Sequence, residues 1–441
     1  MKTRALKILT ASGLLLSSLA LSSGQPAAAS ITYSFTPAGA TGRTGPTQAQ
    51  LNTAYAATTL AGQVTINTQG IQEWTAPSTG QYSITAVGGK GGGTNGGKGA
   101  RLYGEFTITQ GTVLKILVGQ QGSSSFNTSA GGGGGSFVWN ASDTSTPLIA
   151  AGGGGGQGGA GRAGVDASTS TSGTAGTTGA SQNLAGAGGT GGNAGTTASV
   201  SNSWSAAAGA GWKGNSTVAT TYSGNNQNNG YSPLNGGVGG AKFFNMISGV
   251  DCGDNSGGFG GGGGGGGSAT SSPSTCNGVG NNGVGGGGGG YSGGGNGSND
   301  SSTDRGAGGG GGSINNGTNQ SATAGFGTGA GYVTIVFMVD PAATSVTLSA
   351  AGNVTNVSKS TAITLTATVG APGKITFFAN GKRIPGCISK AVTTSITCNW
   401  KPATRGVATV TATLIPTDTS TYLTSQSAKF NLQSVQRSNR R

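Results

Sequence analysis

Hydrophobic and polar residues alternate in short runs across residues 30–339, and a two-residue period is typical of half-buried β-strands. Four such runs stand out: Tyr82–Ala86, Leu102–Ile108, Leu114–Val118 and Tyr332–Phe337. The last run follows every stretch of consecutive glycines. Strands therefore bracket the glycine-rich part, which predicts an antiparallel β-sandwich with the glycine-rich part as an insertion.

A second set of alternating runs occupies the C-terminal hundred residues. The runs are Ser345–Ala350, Thr361–Val369, Lys374–Ala379, Val392–Asn399, Val407–Leu414 and Thr421–Leu432. Asn380-Gly381 is the strongest hairpin signal between them. Six or seven short strands at this spacing predict a second sandwich, of the immunoglobulin (Ig)-like type. The segments Gly373–Gly381 and Asp418–Tyr422 resemble bacterial Ig-like repeats of secreted surface proteins, which implies a spacer or surface-contacting module. We expect Phe377, Phe378, Trp400, Tyr422 and Phe430 to form its core.

The first 29 residues have the pattern of an export signal. Basic residues precede a 14-residue apolar stretch, Ile8–Leu21, and Ala27-Ala28-Ala29 follows. This predicts a secretory signal cleaved between Ala29 and Ser30. Since a membrane span needs about 20 apolar residues, an uncleaved signal anchor is the weaker alternative. The mature chain has no further long apolar run. We therefore expect an extracellular protein, in free or cell-surface-associated form, without a transmembrane segment.

Glycine is concentrated in one part of the chain. Residues 30–339 hold 86 of the 94 glycines and 21 of the 26 aromatic residues. Consecutive glycines run through 131–135, 152–156, 260–267, 285–290 and 308–312. Without side chains, extended helices with three residues per turn can lie close enough to form lateral hydrogen bonds. The residue pattern alone leaves open whether these runs form such rods or flexible loops.

Composition also limits the chemistry. The chain has no histidine, and only 7% of its residues are charged, which excludes Ser-His-Asp triads, Cys-His dyads and His-ligated metals. The carboxylates of the glycine-rich part form no recognisable glycosidase pair, and Asp251 and Asp254 are too few for a calcium loop. We predict no catalytic, cofactor-binding or metal-ligating residues, and no cofactor.

Cysteine and charge add two expectations. The four cysteines are Cys252, Cys276, Cys387 and Cys398, and their proximity favours the pairs Cys252–Cys276 and Cys387–Cys398 in an exported protein. Free thiols are the alternative. Residues 340–441 carry eleven basic and two acidic side chains. This excess favours contact with a polyanion, whereas the simpler interpretation is a solvated surface. The pattern does not indicate specific nucleic-acid binding.

Several motifs carry a family resemblance across about residues 35–338. They include Gly39–Gln50, Ile71–Pro77, Leu117–Gly122, Pro147–Gly155 and the segment Gly257–Gly261. This part resembles the glycine-rich extracellular domain of the anaplastic lymphoma kinase and leukocyte tyrosine kinase receptors. The resemblance implies a tumour-necrosis-factor-like sandwich with an inserted bundle of polyglycine helices. The chain has no kinase motifs and no motif for the receptors' ligand-contacting residues, so no site residue is transferred.

These observations predict four parts: a signal peptide (1–29), a glycine-rich domain (30–339), an Ig-like domain (340–433) and a basic tail (434–441). We expect an exported, non-catalytic surface or matrix protein. Its glycine-rich head would bind an unidentified protein or glycan at the cell surface, and the Ig-like domain would act as a spacer. The alternative is a purely structural component of an envelope or matrix. A hydrolase, the third hypothesis, has no motif in its favour.

Overall fold

A computed structural model describes residues 30–125, 129–179, 184–198, 206–217, 228–242, 244–245, 250–251, 253–266, 283–298, 305–338, 343–353, 355–418 and 422–435. The chain divides into two compact units between Met338 and Val339. We call residues 30–338 the head and the described residues from 343 onward the C-terminal unit.

The regular secondary structure of the head is mainly β-strand. They are β1 (Ile31–Phe35), β2 (Val64–Thr68), β3 (Ile71–Thr75), β4 (Gly80–Val87), β5 (Gly99–Ile108), β6 (Val113–Leu117), β7 (Ser124–Ser125), β8 (Ser129–Ala130), β9 (Ser136–Asn140), β10 (Ile149–Ala151), β11 (Phe244–Asn245), β12 (Val250–Asp251), β13 (Ile314–Asn315), β14 (Thr318–Gly327) and β15 (Tyr332–Met338). One α-helix, α1 (Gln48–Tyr55), and short 3-10 turns at Gly159–Gly161 and Pro233–Asn235 are also described.

Two antiparallel sheets form the sandwich of the head. The strand orders are β1-β15-β4-β5-β14 and β13-β10-β9-β6-β3-β2. The core between them includes Trp74, whose ring centroid lies 4.7 Å from that of Tyr33 and 6.2 Å from that of Tyr82. The predicted all-β sandwich is confirmed, and each of the four alternating runs lies largely within a strand.

The glycine-rich part is an insertion in this sandwich. Strands β10 and β13 pair directly, with Ile149 opposite Asn315 and Ala150 opposite Ile314. Residues 152–313 therefore leave the sheet from one strand and return in its neighbour. This confirms the insertion that the bracketing strands predicted.

Helix α1 lies in the Gly39–Gln50 motif and its continuation, and the alternation did not predict it. Thr47 and Gln50 form a capping box at its N-terminus. Only Leu51 and Tyr55 are buried, so the helix has too few apolar positions for a visible 3.6-residue period. The Tyr55 hydroxyl donates a 2.7 Å hydrogen bond to Gln72 Oε1 in β3.

The C-terminal unit is a second, smaller sandwich. Its strands are β16 (Val346–Ala350), β17 (Asn356–Ser358), β18 (Ile363–Val369), β19 (Gly373–Ala379), β20 (Lys382–Arg383), β21 (Lys390–Val392), β22 (Ser395–Trp400), β23 (Gly406–Pro416), β24 (Ser425–Gln426) and β25 (Phe430–Val435), with a 3-10 turn at Ala351–Asn353. One sheet has the order β16-β18-β22. The other has the order β17-β25-β23-β19-β20, and β21 and β24 pair with β19 and β23.

Two expectations for this unit are wrong in detail. The run Thr421–Leu432 is not one strand: β24 and β25 each pair with β23, and between them Ser427 Oγ accepts a hydrogen bond from the backbone N–H of Ala412. Phe377 is fully buried, but its neighbour Phe378 is only half-buried, because successive side chains of a strand point to opposite faces. Trp400 and Phe430 cover the edge of the core, and each is half-buried.

Candidate functional site

The glycine runs hydrogen-bond to one another with a three-residue repeat. In the segment 285–291, the backbone N–H groups of residues 285, 288 and 291 donate to the carbonyls of 306, 309 and 312. Residues 286 and 289 donate to 130 and 133, and residues 287 and 290 donate to 207 and 210. Successive residues of this segment thus face three different neighbours, and every third residue returns to the same neighbour, as expected for a helix with three residues per turn. We call these hydrogen-bonded segments the glycine bundle.

Close backbone approach makes glycine necessary in the bundle. A Cβ atom built on Gly288 would lie 2.1 Å from the carbonyl oxygen of Gly153, and one on Gly132 would lie 2.0 Å from that of Gly287. Real Cβ atoms essentially never approach another atom closer than 3.0 Å. The described glycine runs are therefore ordered rods, and the flexible-loop alternative is wrong for them.

The bundle packs on one face of the six-stranded sheet through aromatic residues. Trp212 and Phe259 from the insertion form a buried cluster with Phe137 and Trp139 of β9. The Trp212 and Trp139 rings meet edge-on at 5.5 Å, and Trp212 Nε1 donates to the carbonyl of Thr144 at 3.2 Å. Strands β9 and β10 at the centre of this contact are consequently buried on both faces, by the sandwich core and by the bundle.

The opposite sheet of the head keeps one face in solvent. Along β5, Arg101, Tyr103, Glu105 and Thr107 are half-buried or exposed and alternate with buried residues. They pair laterally with residues of β4, where Thr85 lies opposite Tyr103. We call this side of the five-stranded sheet the outer face.

Contacts among its side chains hold part of the outer face in place. The Tyr103 hydroxyl donates to Glu105 Oε1 at 2.7 Å, and Asn319 Nδ2 donates to Glu105 Oε2 at 2.7 Å. The Arg101 guanidinium carbon lies 5.4 Å from the ring centroid of Phe326, within the range of a cation–π contact. The outer face thus presents a cation, an anion and two aromatic rings in fixed positions.

The ionisation of this cluster favours binding over proton transfer. Hydrogen bonds from Asn319 and Tyr103 hold the pKa of Glu105 below its ordinary value. Partial burial, together with the hydrogen bond to Glu105, raises the pKa of Tyr103 above its ordinary value. Glu105 is therefore a carboxylate and Tyr103 a neutral phenol at neutral pH, so neither group is poised to exchange a proton there.

The other described carboxylates of the head have structural partners. Glu73 forms an ion pair with Lys115 at 3.3 Å and accepts from Asn67 Nδ2 at 2.8 Å. Asp166 Oδ1 accepts from the backbone N–H of Lys98 at 2.6 Å, and Asp143 and Asp254 accept from backbone N–H groups two residues ahead. Within the described residues, no group of three His, Cys, Asp or Glu side chains could hold a metal ion.

Only part of the predicted cysteine and processing sites falls within the described residues. Cys387 and Cys398 form a disulfide, with both cysteines buried in the core of the C-terminal unit. Cys252, Cys276 and the signal residue Ala29 lie outside the described residues, and Ser30 is the first residue described. No helix among the described residues is long and apolar enough to cross a membrane.

Sequence comparison finds a partial similarity to a receptor. Over 102 residues the chain is 39% identical to the leukocyte tyrosine kinase receptor of mouse, an alignment that covers 20% of this chain and 11% of the receptor. The aligned part thus represents about a ninth of the receptor's length. No protein-family model matches the chain.

The interacting residues Arg101, Tyr103, Glu105, Asn319 and Phe326 of the outer face, which we call the outer-face cluster, were not identified from the sequence. The alternation in Leu102–Ile108 did predict which residues of β5 face outward, so Tyr103 and Glu105 could have been placed on one face. Phe326 and Asn319 could not, because β14 is exposed along most of its length and has no apolar alternation.

Proposed function

We propose that this protein is an exported, non-catalytic binding protein whose head recognises a protein or glycan at a cell surface. The head binds through its outer face, and the C-terminal unit serves as a spacer or anchor. The observation that carries the proposal is the contrast between the two sheets of the head. The bundle covers strands β9 and β10 of one sheet, whereas the other sheet presents Arg101, Tyr103, Glu105 and Phe326 on an uncovered face.

The composition of the outer face supports binding. Tyrosine, phenylalanine and arginine are enriched where proteins contact partners, because they offer large contact areas and specific hydrogen bonds. The contacts of Glu105 with Tyr103 and Asn319 fix rotamers before binding, which lowers the entropic cost of association. The partial similarity to the leukocyte tyrosine kinase receptor and the Cys387–Cys398 disulfide are in keeping with an extracellular binding role.

A binding screen with the full mature chain, residues 30–441, tests this proposal. The labelled chain is applied to an array of purified glycans, a panel of purified extracellular proteins and intact bacterial cells. We expect saturable binding of at least one ligand. The double variant Arg101→Ala/Tyr103→Ala should bind that ligand at least about tenfold more weakly than the parent. Lys213→Ala removes a cation from an exposed position elsewhere on the head and should leave binding unchanged. Absence of any ligand, or equal binding by the double variant, contradicts the proposal.

The second candidate function is a self-assembling structural component. Strand β14 is an edge strand of ten residues, most of them exposed, and it contains no charged residue or proline. Such edges can pair with strands of other chains. However, register shifts interrupt its pairing with β5, and bulges of this kind reduce edge-to-edge association. Sedimentation of the purified chain distinguishes the two functions, since ordered polymers at micromolar concentration would favour assembly.

A further inference from the structure

The C-terminal unit contains a basic groove along its open edge. Strands β20 and β22 each lie at an edge of their sheets, and the groove has a volume of about 540 Å³. Residues 379, 380 and 382–385, around the β19–β20 hairpin, form one wall. Residues 399–404 and 406–408, at the passage from β22 to β23, form the other. We call this feature the edge groove.

Positive charge lies on both walls of the edge groove. Lys382 and Arg383 line the first wall and Lys401 lines the second, and all three are exposed. None of the three forms a side-chain hydrogen bond or an ion pair with another described residue. The groove lining includes no Asp or Glu, so its positive potential is not neutralised locally.

The hairpin geometry fixes the first wall. Asn380 and Gly381 both have positive φ angles, 51° and 76°, and Ala379 pairs with Lys382 across this two-residue turn. Two successive positive φ angles are the mark of a type I′ turn, which suits the twist of a hairpin. Lys382 and Arg383 therefore project from a short, well-defined strand.

An aromatic and apolar surface accompanies the charges. Trp400 lines the groove, is half-buried, and packs against the core on one side. Val407, also in the lining, is 61% exposed, and Pro385 adds an exposed apolar ring. A tryptophan with an accessible side offers a flat apolar surface on which a sugar ring can lie. The cations beside it in the groove can then pair with acidic substituents of the sugar.

From this arrangement we propose that the edge groove binds an anionic polysaccharide, a sugar chain carrying carboxylate, sulfate or phosphate groups. Single-stranded nucleic acid is less favoured, because such sites stack successive bases on several aromatic residues and Trp400 is the one aromatic residue in the lining. The wider unit supports the choice of an anion, since its described residues include eight Lys or Arg side chains and one acidic residue, Asp418. The groove shares no residue with the outer face of the head.

Binding of heparin and polygalacturonate to the full mature chain tests the proposal by calorimetry. We expect Lys382→Ala/Lys401→Ala to weaken binding at least about tenfold. The control Lys374→Ala/Lys429→Ala removes the same charge from exposed positions outside the groove and should change affinity less than about twofold. Equal losses of affinity in both double variants would show that the unit attracts polyanions diffusely through its net charge, and would overturn the proposed groove site.

Three further measurements identify the ligand class and the site. Dextran, a neutral polysaccharide, should not bind measurably, and an oligothymidylate should bind more weakly than heparin. Measurable binding of dextran, or tighter binding of the oligothymidylate than of heparin, contradicts the proposal. Polysaccharide should change tryptophan fluorescence in the parent but not in Trp400→Phe, a variant that keeps an aromatic ring against the core. A persisting change in Trp400→Phe would place the ligand elsewhere. Arg101→Ala/Tyr103→Ala should bind heparin like the parent. A failure of the proposed polysaccharide site is therefore distinguishable from a failure of the proposed ligand binding by the head.

Discussion

Replacing one bundle glycine by alanine tests whether the hydrogen-bonded rods stabilise the head. Gly288 donates to the carbonyl of Gly309 at 2.9 Å and accepts from the N–H of Gly294 at 2.8 Å. The new Cβ would lie 2.1 Å from the carbonyl oxygen of Gly153, so that oxygen must move until the distance is at least 3.0 Å. Because the neighbouring rods are themselves packed at such distances, the segment 152–156 has no free space to move into.

The cost can be estimated from the hydrogen bonds that this movement breaks. Gly153 and Gly156 donate to the carbonyls of Gly289 and Gly286 at 2.8 Å, and these bonds join the two segments. A buried peptide group without a partner costs about 1–3 kcal/mol. Alanine also reduces the entropy of the unfolded chain, which offsets about 0.4–1 kcal/mol. Two such losses less this offset lead us to expect that Gly288→Ala lowers the free energy of unfolding of the head by roughly 1–5 kcal/mol.

The assay is calorimetric unfolding of the full mature chain, with amide hydrogen exchange as the local measurement. The head transition should fall by about 2–8 °C, and exchange at Gly153 and Gly156 should accelerate. The matched control is Gly214→Ala, because a Cβ there meets no atom within 4 Å and its φ angle is not positive. The control should be neutral or stabilising by up to about 1 kcal/mol. If Gly288→Ala unfolds like Gly214→Ala, the rods do not stabilise the head.

Three other predictions concern single features. The double variant Cys387→Ala/Cys398→Ala should destabilise the C-terminal unit by about 2–4 kcal/mol, because the disulfide closes a short loop in the unfolded chain; an equal shift of the head transition would contradict this assignment. Since the pKa of Glu105 is held below its ordinary value of 4.5, its stabilising contribution is complete above pH 4.5 and is lost as pH falls through the lowered pKa. An NMR titration midpoint of its carboxyl carbon at or above 4.5 would refute this effect, and Glu105→Gln should remove that part of the acid dependence. Gly381→Ala should cost the C-terminal unit about 1 kcal/mol in denaturant unfolding, whereas Gly381→Asn should cost less, because asparagine tolerates positive φ; equal losses would indicate that φ is not the cause.

The sequence determined the strands whose two faces differ. In Leu102–Ile108 and Tyr332–Phe337, one face meets the core and the other meets solvent, so the alternation is visible in the residues. The Asn380-Gly381 turn was equally predictable, because few residues other than Asn and Gly adopt two successive positive φ angles. The position of the glycine runs between strand patterns also identifies the insertion.

Elements whose surroundings come from distant residues could not be identified in this way. Strand β9 is buried on both faces because the bundle covers the side that faces away from the sandwich core, and this removes the alternation. Helix α1 is too short to show a period. Trp400 was expected in the core, but β22 is an edge strand, so one side of the ring remains accessible in the edge groove.

The sequence by itself determined that this chain is an all-β protein with glycine concentrated in an insertion and with no histidine chemistry. Only the tertiary structure decided what the glycines do, because consecutive glycines carry no side-chain pattern that separates a rod from a loop. That distinction depends on which backbone carbonyl lies beside each N–H group, and these partners are often more than a hundred residues away in sequence. The same reason applies to both proposed binding surfaces: the outer-face cluster joins β5 to β14, and the edge groove joins β20 to β22.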